Sequence, residues 1–138
     1  MTTIFNKTTG KILCSSEHPM PTHVLDTMLT PETDFIDGYH LADLYYIANK
    51  TPTLIPSRPS DDYDFNWQSH AWELNMARLT ESVLAQRKTL LLQSDWTQLP
   101  DVPLATKEAW VVYRQALRDI TEQPGFPESV VWPKTPDE

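Results

Sequence analysis

The chain has 138 residues and a formal net charge of −8, a length that suits one domain or two small modules that share a core. Residues 1–75 carry ten acidic and four basic side chains, and residues 76–138 carry nine and seven. Neither half has the excess of Lys and Arg that binding to nucleic acid requires. We therefore expect no binding to DNA, RNA or an anionic membrane surface.

Composition also restricts the compartment and the class of fold. The sequence has no run of 18 apolar residues, which predicts no membrane span, and its first residues, MTTIFNKTTG, do not resemble a secretory signal. Cys14 is the only cysteine, so an internal disulfide is excluded and a reducing cytoplasm is expected. Twelve prolines against three glycines indicate short elements joined by stiff connections.

Residues 1–75 predict a β-rich module built from hairpins. TIF and KILCS flank NKTTG, with Gly10 at the position that needs a positive φ. THVLDTML is typical of a short helix capped by Thr22, and DFID predicts a strand that enters a turn at Asp37-Gly38. Two further hairpins are predicted, one with its turn at residues 49–51 and one in YDFNWQSHAWEL with its aromatic side chains on one face.

Residues 76–138 change to a helical period. A first amphipathic helix over residues 76–94 has a stripe formed by Met76, Leu79, Val83, Gln86, Leu90 and Leu91. Thr106 is the predicted N-cap of a second helix from Lys107 to about Thr121. The apolar face of that helix is Ala109, Trp110, Tyr113, Ala116, Leu117 and Ile120. An extended tail, SVVWPKTP, follows, so the predicted class is α+β with modules at 1–75 and 76–138.

The connection between the two helices, SDWTQLPDVP, is unusually rich in turn-forming side chains. Ser94 and Asp95 can cap a turn through their side-chain oxygens, and two prolines stiffen the path. Arg114 and Arg118 lie four residues apart on one helix face. Their proximity is better tolerated if acids such as Asp95, Asp101 or Glu122 lie nearby, or if an arginine stacks on Trp96. The loop then either fixes a helical hairpin or forms, with the arginines, a recognition surface.

The C-terminal half resembles a known family. RKTLLLQSDWTQLPDVPLATKEAWVVYRQALRDI, followed by GFP and VVWPKTP, is similar to the phage tail assembly chaperone family over roughly residues 76–136. It departs from many relatives at Thr121, where they have proline, so the second helix could run a turn longer here. The segment YYIANKTPTLIPSRPSDDYDFNWQSHAW has a weaker resemblance to tail-fibre-associated proteins.

The resemblance implies a non-enzymatic protein that binds a phage tail or tail-fibre protein and assists its folding or assembly in the cytoplasm of the infected host. The alternative is a permanent component of the virion tail, in a baseplate, tail tip or fibre connector, where it would be oligomeric. The expected contact residues are Asp95, Trp96, Trp110, Arg114, Arg118 and Trp132. Trp132 is included because a short Pro-rich tail is not expected to bury its own tryptophan.

Other kinds of site receive little support from the sequence. Asp62, Asp64, Asn66 and Glu73 have the spacing of a calcium loop, but Trp67 occupies the position that needs glycine, and an acidic linker is favoured. Cys14, His18 and His23 match no recognised zinc spacing. We therefore expect no metal and no cofactor.

Catalysis and glycan binding are the remaining alternatives. His70 and Glu73 could be taken for a catalytic dyad, but no nucleophile motif or phosphate-binding loop accompanies them, so an enzyme is not expected. The aromatic side chains between Tyr63 and Trp72 could stack on a glycan, although a core-facing stripe is the favoured interpretation.

Overall fold

The computed structural model describes residues 1–137 and confirms the α+β class. Two compact units divide the chain: an N-terminal unit, Met1–Glu73, and a C-terminal unit, Leu74–Glu138. No helix among the described residues is both long enough and apolar enough to span a membrane. The elements in chain order are β1 (Thr2–Asn6), β2 (Ile12–Ser16), α1 (Thr22–Met28), β3 (Thr33–Asp37), β4 (Tyr45–Ala48), β5 (Thr51–Leu54), β6 (Tyr63–Asn66), β7 (Ala71–Leu74), α2 (Met76–Gln93) and α3 (Leu104–Arg118), with short 3-10 helices at Asp95–Gln98 and Asp119–Glu122.

The N-terminal unit is organised around an antiparallel sheet of order β2-β1-β3. The central strand β1 has both of its faces covered, since the successive residues Ile4 and Phe5 are both buried. Phe5 packs with Ile12 and Ile47, so this core joins the sheet to strand β4. β4 and β5 form a separate two-stranded ribbon, as do β6 and β7.

The first hairpin is confirmed, and Gly10 has the predicted positive φ, 68°. Its carbonyl accepts a hydrogen bond of 2.9 Å from the Ile47 amide. A Cβ at this position would clash with the Ile47 carbonyl oxygen, so glycine permits a close approach of two backbones as well as the turn.

Both later hairpins are present, and the first differs by one residue from its predicted turn. Asn49 and Lys50 both have positive φ, which makes a tight two-residue turn, and Thr51 already belongs to β5. In the last hairpin the turn ends at His70, which also has a positive φ of 53°. The Phe65 ring lies edge-on to Trp67 and Trp72 at 5.0 and 5.3 Å between centroids. The aromatic side chains therefore pack on one another, and each remains partly exposed.

Both predicted threonine caps are wrong. α1 begins at Thr22 itself, with Pro21 before it, and α3 begins at Leu104, with Pro103 before it; neither cap position makes a side-chain hydrogen bond. The proline ring fixes φ near the helical value, so a helix can begin next to a proline without a capping side chain. α3 also ends earlier than predicted, at Arg118, and continues only as the 3-10 helix.

The core of the C-terminal unit comes mainly from one face of α3. Trp110, Tyr113 and Leu117 form a buried cluster, against which Leu90, Leu91 and Trp132 pack. The predicted apolar face is confirmed for these three residues of α3 and for Ile120, whereas Ala109 is exposed. On α2 the predicted stripe is broken, because Met76 and Gln86 are exposed.

Candidate functional site

Ser94 is the centre of the loop between α2 and α3. It is the C-cap of α2 and is almost completely buried. Its hydroxyl donates to the carbonyls of Leu90 and Leu91, both at 3.0 Å, which satisfies two acceptors at the helix end. A buried hydroxyl of this kind fixes where the helix stops and where the loop departs.

Arg114 connects α3 to this loop. Its Nη1 donates to the Leu91 carbonyl and to the Ser94 hydroxyl, both at 2.7 Å. Its Nη2 lies 2.8 Å from Oδ1 of Asp95. Of the acids that the sequence offers to the arginines, Asp95 is therefore the one that pairs with Arg114. Because the Arg114 side chain is only 11% exposed, its donors are committed to holding the loop on α3.

Thr97 completes the internal side of the loop. It is fully buried, and its hydroxyl donates to the Ser94 carbonyl at 2.6 Å. Three side chains of the SDWT segment thus bond a polar group within the unit. Ser94 bonds two helix carbonyls, Asp95 bonds Arg114, and Thr97 bonds the Ser94 carbonyl. This local network explains the turn-rich composition of the loop.

Trp96 is the large apolar residue of this segment, and it faces solvent, as the Asp95 carboxylate beside it also does. Its side chain is 52% exposed, while the edge of its ring meets Trp110 at 5.9 Å between centroids. Ser94 and Asp95, which precede Trp96, are both bonded to Arg114. A large aromatic group is therefore held at the surface on a fixed loop. Exposed and rigidly held aromatic side chains are common anchors in protein interfaces.

The remaining predicted contact residues have different environments. Trp110 is buried in the core, so any role it has in binding is to support its neighbours. Arg118 is exposed, and within residues 1–137 its side chain makes no hydrogen bond or ion pair. The Arg87 guanidinium donates to the Arg118 carbonyl at 3.3 Å, which brings a second cation to the end of α3.

The expectation that the tail leaves Trp132 uncovered is wrong. The tail does bury much of its own tryptophan, because Trp132 packs against the cluster of Trp110, Tyr113 and Leu117. Gln123 holds the tail in place, since its side-chain amide donates to the Val131 carbonyl at 2.9 Å and accepts from the Val131 amide at 2.8 Å. The tail has no helical or strand period, so local patterning does not predict this return of the chain.

Helix α3 also exposes apolar side chains that the sequence analysis did not single out. Leu104, Val111 and Val112 are exposed, the last by 71%. They lie on the opposite side of the helix from the core residues, in the segment WVVY, where four apolar residues follow one another. A helix can bury only part of such a run, and this excess was the signal available in the sequence.

The alternative sites in the N-terminal unit acquire structural explanations. Asn66 donates its amide to Glu73 at 2.7 Å across the last hairpin, so two of the calcium-loop residues bind each other. Among residues 1–137 no group of three or more His, Cys, Asp or Glu side chains has an arrangement that could hold a metal ion. Lys11 and Arg58 lie over the rings of Trp67 and Trp72, on ring faces that a sugar would need.

Comparison with known proteins finds a family match for part of the chain. No curated protein and no solved structure matches it. A family model does match and covers α2 from its second turn, the SDWT loop, α3 and the tail. The match excludes the N-terminal unit, so its likeness to tail-fibre-associated proteins stays a prediction. The resemblance found in the sequence is confirmed for the C-terminal half, where residues 80–137 match the phage tail assembly chaperone protein family.

Proposed function

We propose that this protein assists phage tail assembly without catalysis, by binding a tail or tail-fibre protein through its C-terminal unit. The observation that carries the proposal is the family match over residues 80–137, which coincides with the unit that holds Trp96 at its surface. Binding would cover apolar surface of the partner during its folding or assembly in the infected host cell.

In this proposal the predicted contact residues divide into two groups. Trp96 and Arg118 contact the partner directly, because both are exposed. Asp95 and Arg114 hold the loop, and Trp110 and Trp132 form the support beneath it. The exposed Val111 and Val112 offer further apolar area on the outer side of α3.

A permanent place in the virion tail is the second candidate. The exposed apolar residues of α3 favour it equally, since subunits of a stable assembly also keep such residues for their neighbours. In that case the chain would be present in fixed copy number in the particle, and the match to chaperones would reflect ancestry.

Mass spectrometry of purified infectious virions, together with capture on the tagged protein from infected lysate, separates these candidates. An assembly factor is absent from particles and captures a tail or tail-fibre protein. A structural component is present at a fixed multiple of the tail symmetry. If the chain is absent from particles and captures no tail protein, both proposals are wrong.

Trp96→Ala tests the proposed contact surface. We expect binding of the captured tail protein to weaken by about tenfold or more, as for an aromatic anchor, with stability nearly unchanged. Leu54→Ala is the matched control, because Leu54 is a similarly exposed apolar residue of the N-terminal unit. If the two variants bind the tail protein with equal affinity, Trp96 is not part of the interface.

A further inference from the structure

The C-terminal unit contains a half-open cleft between the end of α2, the inner face of α3 and the tail. Its volume is about 100 Å³. Three of its walls are fixed, because the end of α2, α3 and the tail are joined by the Ser94 network and by the core cluster. The cleft is lined by Leu90, Gln93, Ser94, Trp110, Tyr113 and Thr135.

The volume restricts what the cleft can hold. Sites for cofactors and drug-sized ligands usually measure about 300–1,000 Å³, and an engineered cavity that admits benzene measures about 150 Å³. A space of about 100 Å³ is therefore too small for a cofactor and suits a single side chain of moderate size.

The charge of the lining restricts the occupant further. None of the six lining side chains is charged. The nearest guanidinium, that of Arg114, already bonds the Leu91 carbonyl, the Ser94 hydroxyl and the Asp95 carboxylate. A carboxylate or an ammonium group would lose its hydration in the cleft without meeting an opposite charge, whereas an aliphatic group would bury its surface against Leu90 and the two rings.

The cleft shares one ring with the proposed partner-binding surface. Trp110 lines the cleft and also meets the half-exposed Trp96. A partner segment that binds Trp96 is therefore close to the cleft, where the uncharged polar groups of Gln93 and Thr135 can bind its backbone.

We propose that the cleft receives one aliphatic side chain, of the size of Leu, Ile or Met, from the tail or tail-fibre protein that this chain assists. This inference rests on the proposed function and names the chemistry of the partner segment. That segment carries an aliphatic anchor without adjacent charge. Such an anchor is apolar surface that would otherwise be exposed before the partner is assembled.

Filling the cleft is the first test. Thr135→Phe places a ring in the space, whereas Lys134→Phe adds the same ring at the neighbouring exposed position. We expect Thr135→Phe to weaken binding of the captured tail protein by about tenfold or more, the factor for losing one buried aliphatic side chain, and Lys134→Phe to bind as wild type. Equal binding by both variants would overturn the proposal.

Photo-crosslinking is the second test and does not depend on how well a filled variant folds. Benzoylphenylalanine is placed at Gln93, on the cleft, and as a control at Glu81, an exposed position of α2 outside it. The expected product joins position 93 to an aliphatic residue of the tail protein, or to its immediate neighbour. Crosslinks to a second copy of this chain, to a charged segment, or equally from position 81 would overturn the cleft assignment.

The two proposals fail in distinguishable ways. If wild type captures a tail protein but position 93 gives no crosslink to it, the cleft assignment is wrong and the assembly function stands. If wild type captures no tail protein, the proposed function itself is wrong.

Discussion

At the scale of single residues, Arg114 is the side chain on which the loop depends. We predict that Arg114→Met lowers the free energy of unfolding by about 1–3 kcal/mol, because it leaves buried Ser94 and the Leu91 carbonyl without a charged donor. Arg118→Met is the matched control, with an expected change below about 0.5 kcal/mol at an exposed site. Urea denaturation followed by tryptophan fluorescence measures both, and equal values would contradict the assigned role.

A second prediction at the residue scale concerns pH. Lys50 Nζ lies 2.9 Å from Asp34, and this hydrogen bond, with one from the Phe35 amide, lowers the pKa of Asp34 below its ordinary value of 3.8. A lowered folded-state pKa stabilises the protein above pH 3.8, and that stabilisation is lost as the pH falls through the folded value. Lys50→Met should therefore be less stable than wild type near pH 6, by a small amount because both side chains are partly exposed.

The measurement is the urea midpoint of wild type and Lys50→Met between pH 2 and 6. The difference should be constant above about pH 5 and should narrow at lower pH as Asp34 is protonated. A difference that stays the same down to pH 2 would show that Lys50 acts through the turn at Asn49-Lys50 rather than through its charge.

At the scale of elements, the tail packs against the core cluster, whereas the SDWT loop holds Trp96 at the surface. We predict that Trp132→Ala lowers the free energy of unfolding by about 1–3 kcal/mol, because it removes contacts with the Trp110 cluster. Trp96→Ala, at an exposed ring, should cost less than about 1 kcal/mol. Thermal unfolding monitored by near-ultraviolet circular dichroism compares them. If Trp96→Ala lowers the free energy of unfolding more than Trp132→Ala does, then Trp96, and not Trp132, is the tryptophan that supports the core.

At the scale of the whole molecule, the chain consists of two compact units. We predict that a fragment of residues 74–138 folds without the rest of the chain, because its buried cluster and the Ser94 network lie entirely within it. Its stability should be small, as is usual near this length. Cooperative unfolding and near-ultraviolet dichroism of the fragment check this. If the fragment unfolds without a cooperative transition, its helices depend on residues 1–73 or on a second protein.

The sequence by itself determined the elements that depend on local patterns. The hairpin at Gly10, the turn at Asn49-Lys50 and the buried face of α3 follow from turn chemistry and from a helical period, which act within a few residues. The predicted N-caps Thr22 and Thr106 are wrong because a proline precedes each of them, and a proline with φ near the helical value can begin a helix without a capping side chain. The family resemblance was also visible, since it lies in contiguous residues.

Only the tertiary structure decided which side chains of the site face solvent. Trp96, Trp110 and Trp132 are chemically identical, yet the first is exposed and the other two pack in the core. Arg114 and Arg118 lie four residues apart, but only Arg114 reaches the end of α2 and its loop. These differences depend on contacts between residues far apart in the chain, such as Arg114 with Leu91 and Trp132 with Trp110. Local periodicity carries no information on such contacts, because they form only when the helices and the tail pack together.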